Sequence, residues 1–519
     1  MNTRMVRPFS IVLAIISILM QNLSTYAQES NKERLLPAGL GFANHLEYSW
    51  ATDTKTEILE NWLNLDYTYH AFTAGIRFDV FQPNDPSPAI NRGRVRYADI
   101  SFKYIRADVG NVREGASITV GNYYGLFGRG LIFKSYEDRA IRVDNNLLGL
   151  KLTGRYGGFQ LTALTGQGED IQARRTNILH AVDLAYKGFE YMRAGATFAS
   201  NQPDASGVAR TRLLAARLEP SIGNLDLYGE YGIKQNNDIK EMVFQGSESI
   251  VGRALYSSLS FFYDRFSVSA EYKLYDNYAF TSSDQTIVYN MPPAVRRDYS
   301  YILLNRHPAP LDPNNERGYQ VELNYGLGEE TALLASYSET KTLDKSSYYQ
   351  RIVGTTNPVR IQLREAFGQA YHPWNDVLTT TAAFGYMEEG VSYTKSITPI
   401  VEALYSLDES NSLRLIGEHQ HITVRTTGER YYDDVVTLEY LRSPGLVFSV
   451  VGEMQTREPT AGTVNREYWF LGQVTFKVGT HTDASVLIGS RQAGNICIGG
   501  VCRYEPAFKG IEFKLYTRL

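Results

Sequence analysis

Alternation dominates this chain. Near its end, Ile511, Phe513, Leu515, Thr517 and Leu519 interleave with Glu512, Lys514, Tyr516 and Arg518. A period of two puts the first set on one face of a strand and the charged set on the other. The pattern recurs. Leu63, Leu65, Tyr67 and Tyr69 stand against Asn64, Asp66, Thr68 and His70. Leu225, Leu227, Gly229, Tyr231 and Ile233 oppose Asp226, Tyr228, Glu230 and Lys234. Phe266, Val268, Ala270, Tyr272 and Leu274 oppose Ser267, Ser269, Glu271 and Lys273. Tyr319, Val321, Leu323 and Tyr325 oppose Gln320, Glu322 and Asn324. Such segments reach about ten residues, enough to cross a bilayer at a tilt.

The connections add a second signal. Short turns are predicted at Gly157-Gly158, Lys187-Gly188, Tyr263 to Arg265, Gly328 to Glu330, Asp408 to Ser410, Ser443 to Gly445 and Gly479 to His481. Long polar connections are predicted at 83–93, 124–145, 167–177, 237–249, 279–316, 343–357, 457–465 and 492–507. Strict alternation of short and long holds from residue 42 to about 342. Beyond that it requires one more strand, Val359 to Phe367, with 368–376 as a connection on the short-turn side and Glu389-Gly390 as a tight turn opposite. The count is then about 24 strands, or 22 if one weak pair is misread.

An open sheet of this size would leave long edges, whereas a closed barrel removes them and turns its apolar face to lipid. The predicted fold is all-β, a transmembrane antiparallel barrel with both termini in the periplasm. A β-sandwich or propeller would show shorter strands and more even loops, and a propeller would show a repeat. Mean hydropathy is only −0.29, as expected where apolar outward and polar inward positions cancel.

The N-terminus has a basic start with Arg4 and Arg7, an apolar run from Phe9 to Met20, and Thr25-Tyr26-Ala27. This reads as a secretory signal peptide, residues 1–27, followed by a short periplasmic segment at 28–41 and a single barrel from 42 to 519. No separate plug domain is expected before the first strand. Removing the signal takes two arginines and no acid, so 52 Lys+Arg fall to 50 against 56 Asp+Glu, a formal charge of −6. With no basic block, nucleic acid is not an expected partner. The 37 tyrosines suit membrane interfaces. Arginine outnumbers lysine, which suits pairing with carboxylates across a polar lumen. Cys497 and Cys502 are the only cysteines and are expected to close a small disulfide loop after export.

The densest candidate site follows Gly121, Gly125, Gly128 and Gly130. Arg129, Tyr136, Arg139, Arg142 and Asp144 lie here, with Glu137 and Asp138 between them. A connection with these glycines can fold into a barrel and place facing charges across the path. The bland alternative is an exposed loop. Its Gly-x-Gly is no nucleotide fingerprint, because no βαβ unit surrounds it. The longest connection holds Tyr299, Tyr301 and Arg306 and is too apolar for a floppy linker; it reads as a structural cap or a ligand-binding loop. His419 and His421 share one strand face, but a metal site needs a further ligand. No cofactor and no enzyme signature is read.

Three stretches carry a resemblance: Gly-Asn-Tyr-Tyr-x-x-Phe-Gly-Arg-Gly-Leu from Gly121, Leu-Leu-Asn-Arg-His-Pro from Leu303, and Cys-Ile-Gly-Gly-Val-Cys-Arg-Tyr from Cys497. They resemble a functionally uncharacterised, porin-like family of outer-membrane barrels from Gram-negative bacteria. That resemblance covers nearly the whole mature chain and implies residence in the outer membrane but no substrate. Unlike most such barrels, the chain ends in Leu519 rather than an aromatic residue. The functional expectation is a porin-like channel or transporter for small polar solutes. Its partners would be outer-membrane lipid and the barrel-assembly machinery. The alternatives are a sealed barrel that binds a partner and, less favoured, an outer-membrane hydrolase.

Overall fold

The structure is a computed structural model. It describes residues 37–82, 97–111, 113–139, 143–170, 174–175, 177–203, 210–236, 250–282, 287–306, 315–343, 362–390, 393–498, 501–505 and 507–519. The signal-peptide reading therefore lies outside the described residues, as does Arg142.

Twenty-four antiparallel strands form one sheet, each bonded to its neighbours in the chain. The first, Leu40–Ala51, pairs with the last, Phe508–Arg518, and closes the barrel. Backbone bonds between Phe42 and Leu519 seal the seam. The start of the first strand and the end of the last therefore lie at one mouth. The connections at that mouth are short, such as 70–71, 157–158 and 223–224. Those at the other mouth include 124–146 and 277–314.

The added strand is present but longer than the sequence suggests. It spans Gln362–Pro373, so most of 368–376 is strand and the turn is 374–377. Tyr371 and His372 continue the ladder against Thr381 and Thr380. The turn expected at Glu389-Gly390 falls at 390–393. The segment 494–498 pairs with 501–505, and Cys497 faces Cys502 in that ladder; the side chains of both lie outside the described residues.

Alternation sets the two faces. Along Asn177–Tyr186, Leu179, Ala181, Asp183 and Ala185 are buried, whereas Val182 and Leu184 are exposed. Exposed Ile118, Leu161, Phe198, Leu214, Phe384 and Val450 belong to the same outward apolar belt on other strands. No helix is long and apolar enough to cross a membrane among the described residues; crossing falls to the strands.

Candidate functional site

Among the described residues, two connections, 124–146 and 277–314, pack into the interior. The first, 124–146, crosses from the strands Thr56–Tyr69 and Phe72–Gln82 to the strand Leu225–Asn236. At one end Glu137 and Asp144 meet the wall residue Arg77, whose Nη2 donates to Glu137 at 2.6 Å and whose Nη1 lies 3.4 Å from Asp144. The Arg77 Nε donates to Asn64 at 2.7 Å. Arg139 pairs with Glu137 and lies over the Trp62 ring. Two arginines and two carboxylates thus form a neutral clamp, and the Tyr124 hydroxyl donates to Asp144 at 2.9 Å. At the other end the Arg129 amide donates to Glu230 at 3.2 Å and its guanidinium lies over Tyr228.

Between these ends, Phe127, Leu131, Ile132 and Phe133 are buried against inward Leu164, Leu179 and Leu213. Burying each large apolar side chain is worth about 1.5–3 kcal/mol, so a water-filled lumen favours the infolded state. Gly128 has φ +53°, and a Cβ there would sit 2.6 Å from Glu230 Oε2. Both a left-handed backbone and a close carboxylate call for glycine at this position. Gly128→Ala should leave the barrel assembled but loosen this connection, read as faster proteolysis between 124 and 146 in the folded, detergent-solubilised protein.

The second connection is described at 277–282 and 287–306, and its residues reach from the end of the strand Phe266–Asp276 to Glu453 on the strand Leu446–Glu458. It interlocks with the first: Lys134 N–H donates to Tyr289 O at 2.9 Å, and Asn290 Nδ2 donates to Leu131 O at 3.0 Å. Further along, Arg296 pairs with Glu365 at 3.0 Å and Arg297 pairs with Glu322. Tyr299 and Tyr301 pack on Phe367. A short helix, Ile302–Arg306, follows. Its first amides, from Ile302 and Leu303, donate to Glu418 at 3.0 and 2.8 Å. Arg306 donates to Glu453 at 2.7 Å and to Gln492 at 2.8 Å.

The sequence-predicted residues thus divide. Tyr136, Arg139 and Asp144 belong to the first connection; Tyr299, Tyr301 and Arg306 dock the second. Burial raises the Tyr136 hydroxyl to about 12, with the Asp138 charge adding to it. Burial and then Glu402 raise Tyr301 to about 12. Both are neutral donors at physiological pH. Arg139 and Arg306 are charge-paired with carboxylates rather than aimed at an open passage. Arg129 is different: with Arg193, Glu219 and Asp226 it lines a polar cavity of about 600 Å³ at the mouth of the short connections. His419 and Asp434 form an outward pair at 2.7 Å, and no metal-binding group occurs among the described residues.

Sequence reasoning missed Arg77, Glu230, Glu322, Glu365, Glu418 and Glu453, the wall groups that receive the connections. Their inward parity was legible; their partners, often a hundred residues away, carry no local signal.

Infolded connections fastened to the inner wall of a closed sheet with an apolar outward face define a membrane-type β-barrel. The chain belongs to the Family of unknown function (DUF6029), whose model matches residues 9–519. No curated protein matches it. Among solved structures, it is similar to the E. coli P pilus tip assembly intermediate PapC-PapD-PapK-PapG, at 10% identity and a TM-score of 0.50, covering 94% of this chain and 62% of that one. The P pilus usher (PapC) translocation pore gives 10% identity and a TM-score of 0.48, covering 92% and 99%. The siderophore receptor PirA from Pseudomonas aeruginosa gives 9% identity and a TM-score of 0.44, covering 94% and 81%. At such identities the likeness is one of fold.

Proposed function

We propose that this chain is an outer-membrane channel or transporter for small polar solutes, held narrow by its two infolded connections. Its termini and short turns then face the periplasm, as is usual for such barrels. The supporting observation is the charged inner wall that the apolar packing leaves partly exposed. Arg414 bridges Glu402 at 2.7 Å and Glu439 at 3.3 Å, with 33% of its side chain exposed. Lys514, 50% exposed, lies beside Glu47. Inward charges of both signs hold water and orient polar solutes along the wall. The competing reading is a sealed barrel that binds a partner, favoured by the fully buried run Leu131 to Phe133.

Conductance separates the two. The native protein should fractionate with outer membranes, resist carbonate extraction and migrate faster on a gel unheated than boiled. Reconstituted in planar bilayers, it should give small, discrete conductance steps. Silence in the wild type and in variants that loosen either connection would overturn the channel reading and leave the sealed barrel.

A further inference from the structure

The outward face carries a second pattern, near the mouth of the long connections. On six consecutive strands, from Asn315–Leu327 to Asn411–Val424, five basic residues lie at or just beyond that end: Arg317, Lys341, Arg364, Lys395 and Arg425. Their inward neighbours are buried, as Glu316, Thr340, Thr342, Glu365 and Ser396 show, so parity turns the strand members of this row outward. The ladder keeps them side by side. Arg317 is opposite Lys341, Arg364 is opposite Glu388, and Glu388 is opposite Lys395.

Two carboxylates are interspersed. Glu339 lies 3.7 Å from Lys341 and 3.6 Å from Arg364. Glu388 lies 4.0 Å from Arg364 and 3.1 Å from Arg425. Among the described residues, five cations against two anions leave an excess of three positive charges on one stretch of surface. Like charges directly opposite each other in a ladder are destabilising, and Arg317 facing Lys341 is such a pair. An external anion relieves it.

Depth tells which anion. Below the basic row come Tyr319 and Tyr337, whose hydroxyls reach towards Glu339 at 3.5 and 3.4 Å. Further down the same strands lie exposed Leu323, Phe384, Val401 and Leu415. Charge, then tyrosine, then aliphatic surface is the depth order of one lipid leaflet: phosphate, interface, acyl chain. The other ends of these strands differ. There the exposed residues include Tyr325, Leu327, Tyr371, Trp374 and Tyr405, with the acidic Glu329, Glu330, Asp408 and Glu409 in the turns. The two ends of these strands thus differ in the sign of their exposed charge.

We propose that this outward row binds a lipid whose headgroup bears more than one phosphate, in the leaflet next to the long connections. Neighbouring strands lie about 4.8 Å apart, so adjacent bases are spaced to share the phosphates of one headgroup. Arginine supplies forked donors for phosphate oxygens and lysine a point charge. The proposal rests on the membrane-barrel reading, but its test does not depend on conductance.

The test uses the whole delipidated barrel in detergent and native mass spectrometry with added lipid A, a bisphosphorylated glycolipid. Phosphatidylcholine and inorganic phosphate are the comparison probes. The variant K341Q/R364Q/K395Q removes three charges from the row; Arg193→Gln, in the interior cavity, is the control. Wild type and control should bind lipid A in preference to phosphatidylcholine, with affinity falling as salt is raised. The triple variant should bind about a hundredfold more weakly. Unheated gel migration reports folding separately; if the triple variant does not fold, Arg317→Gln and Lys395→Gln singly take its place, each expected to weaken binding several-fold. Equal binding by the folded variants, or displacement of the lipid by inorganic phosphate at matched phosphate concentration, would overturn the proposal.

Discussion

Arg77→Gln should raise single-channel conductance several-fold while leaving the barrel assembled. Arg77 is a wall residue, 6% exposed, and it holds the first connection by Glu137 and Asp144. Among the described residues, removing it leaves Arg139 facing the half-buried Glu137 and the buried Asp144. Breaking a buried ion pair by removing one partner costs about 3–5 kcal/mol, because the remaining charge stays desolvated. The connection relieves that cost by moving Glu137 and Asp144 towards water, which loosens its end beside Trp62. The strand ladder involves main-chain bonds on both sides of Arg77 and does not depend on its guanidinium. Gel migration of the unheated protein should therefore match wild type. Conductance equal to wild type in such a folded variant would remove this clamp from the permeation path.

Much of the barrel was legible because alternation is local. Parity called for a strand between 343 and the turn before Leu378, and Gln362–Pro373 occupies that place. Its C-terminal end was misjudged because the alternation runs through Tyr371 and His372 before Pro373 removes a backbone donor. The inward fold of 124–146 was suggested by its glycines, and at Gly128 the reason is concrete: Glu230 occupies the space a side chain would need. What the arginines do was not legible. Clustering on one connection suggests an exposed electrostatic filter, yet Arg139 is neutralised by Glu137 and Asp144 within the same connection. The matching wall group, Arg77, lies 60 residues upstream in a strand that reads like any other. Pairing in a closed barrel depends on which strands face each other across the lumen, and a single sequence encodes that only through the complete strand count.

The second connection should respond more strongly than the first, because several independent attachments hold it. R296Q/R297Q/R306Q removes three arginines that meet Glu365, Glu322 and Glu453 on three different strands. Arg296 and Glu365 are 4% and 2% exposed, so the charge left behind is buried. Three stranded carboxylates exceed what the packing of Tyr299, Tyr301 and Leu304 on Phe367 can offset at roughly 1.5–3 kcal/mol per side chain. The segment 287–306 should lose protection in amide hydrogen exchange, and conductance should rise beyond that of Arg77→Gln. Charge and shape are then separable. Adding Glu365→Gln, Glu322→Gln and Glu453→Gln removes the buried negative charges and leaves amides able to bond across each former pair. This sixfold variant should regain part of the protection and part of the low conductance, since replacing both partners costs far less than stranding one. A triple variant that stays protected and narrow would show that apolar packing alone holds the connection. A sixfold variant as open as the triple would show that the guanidinium shape, not the charge balance, fastens it.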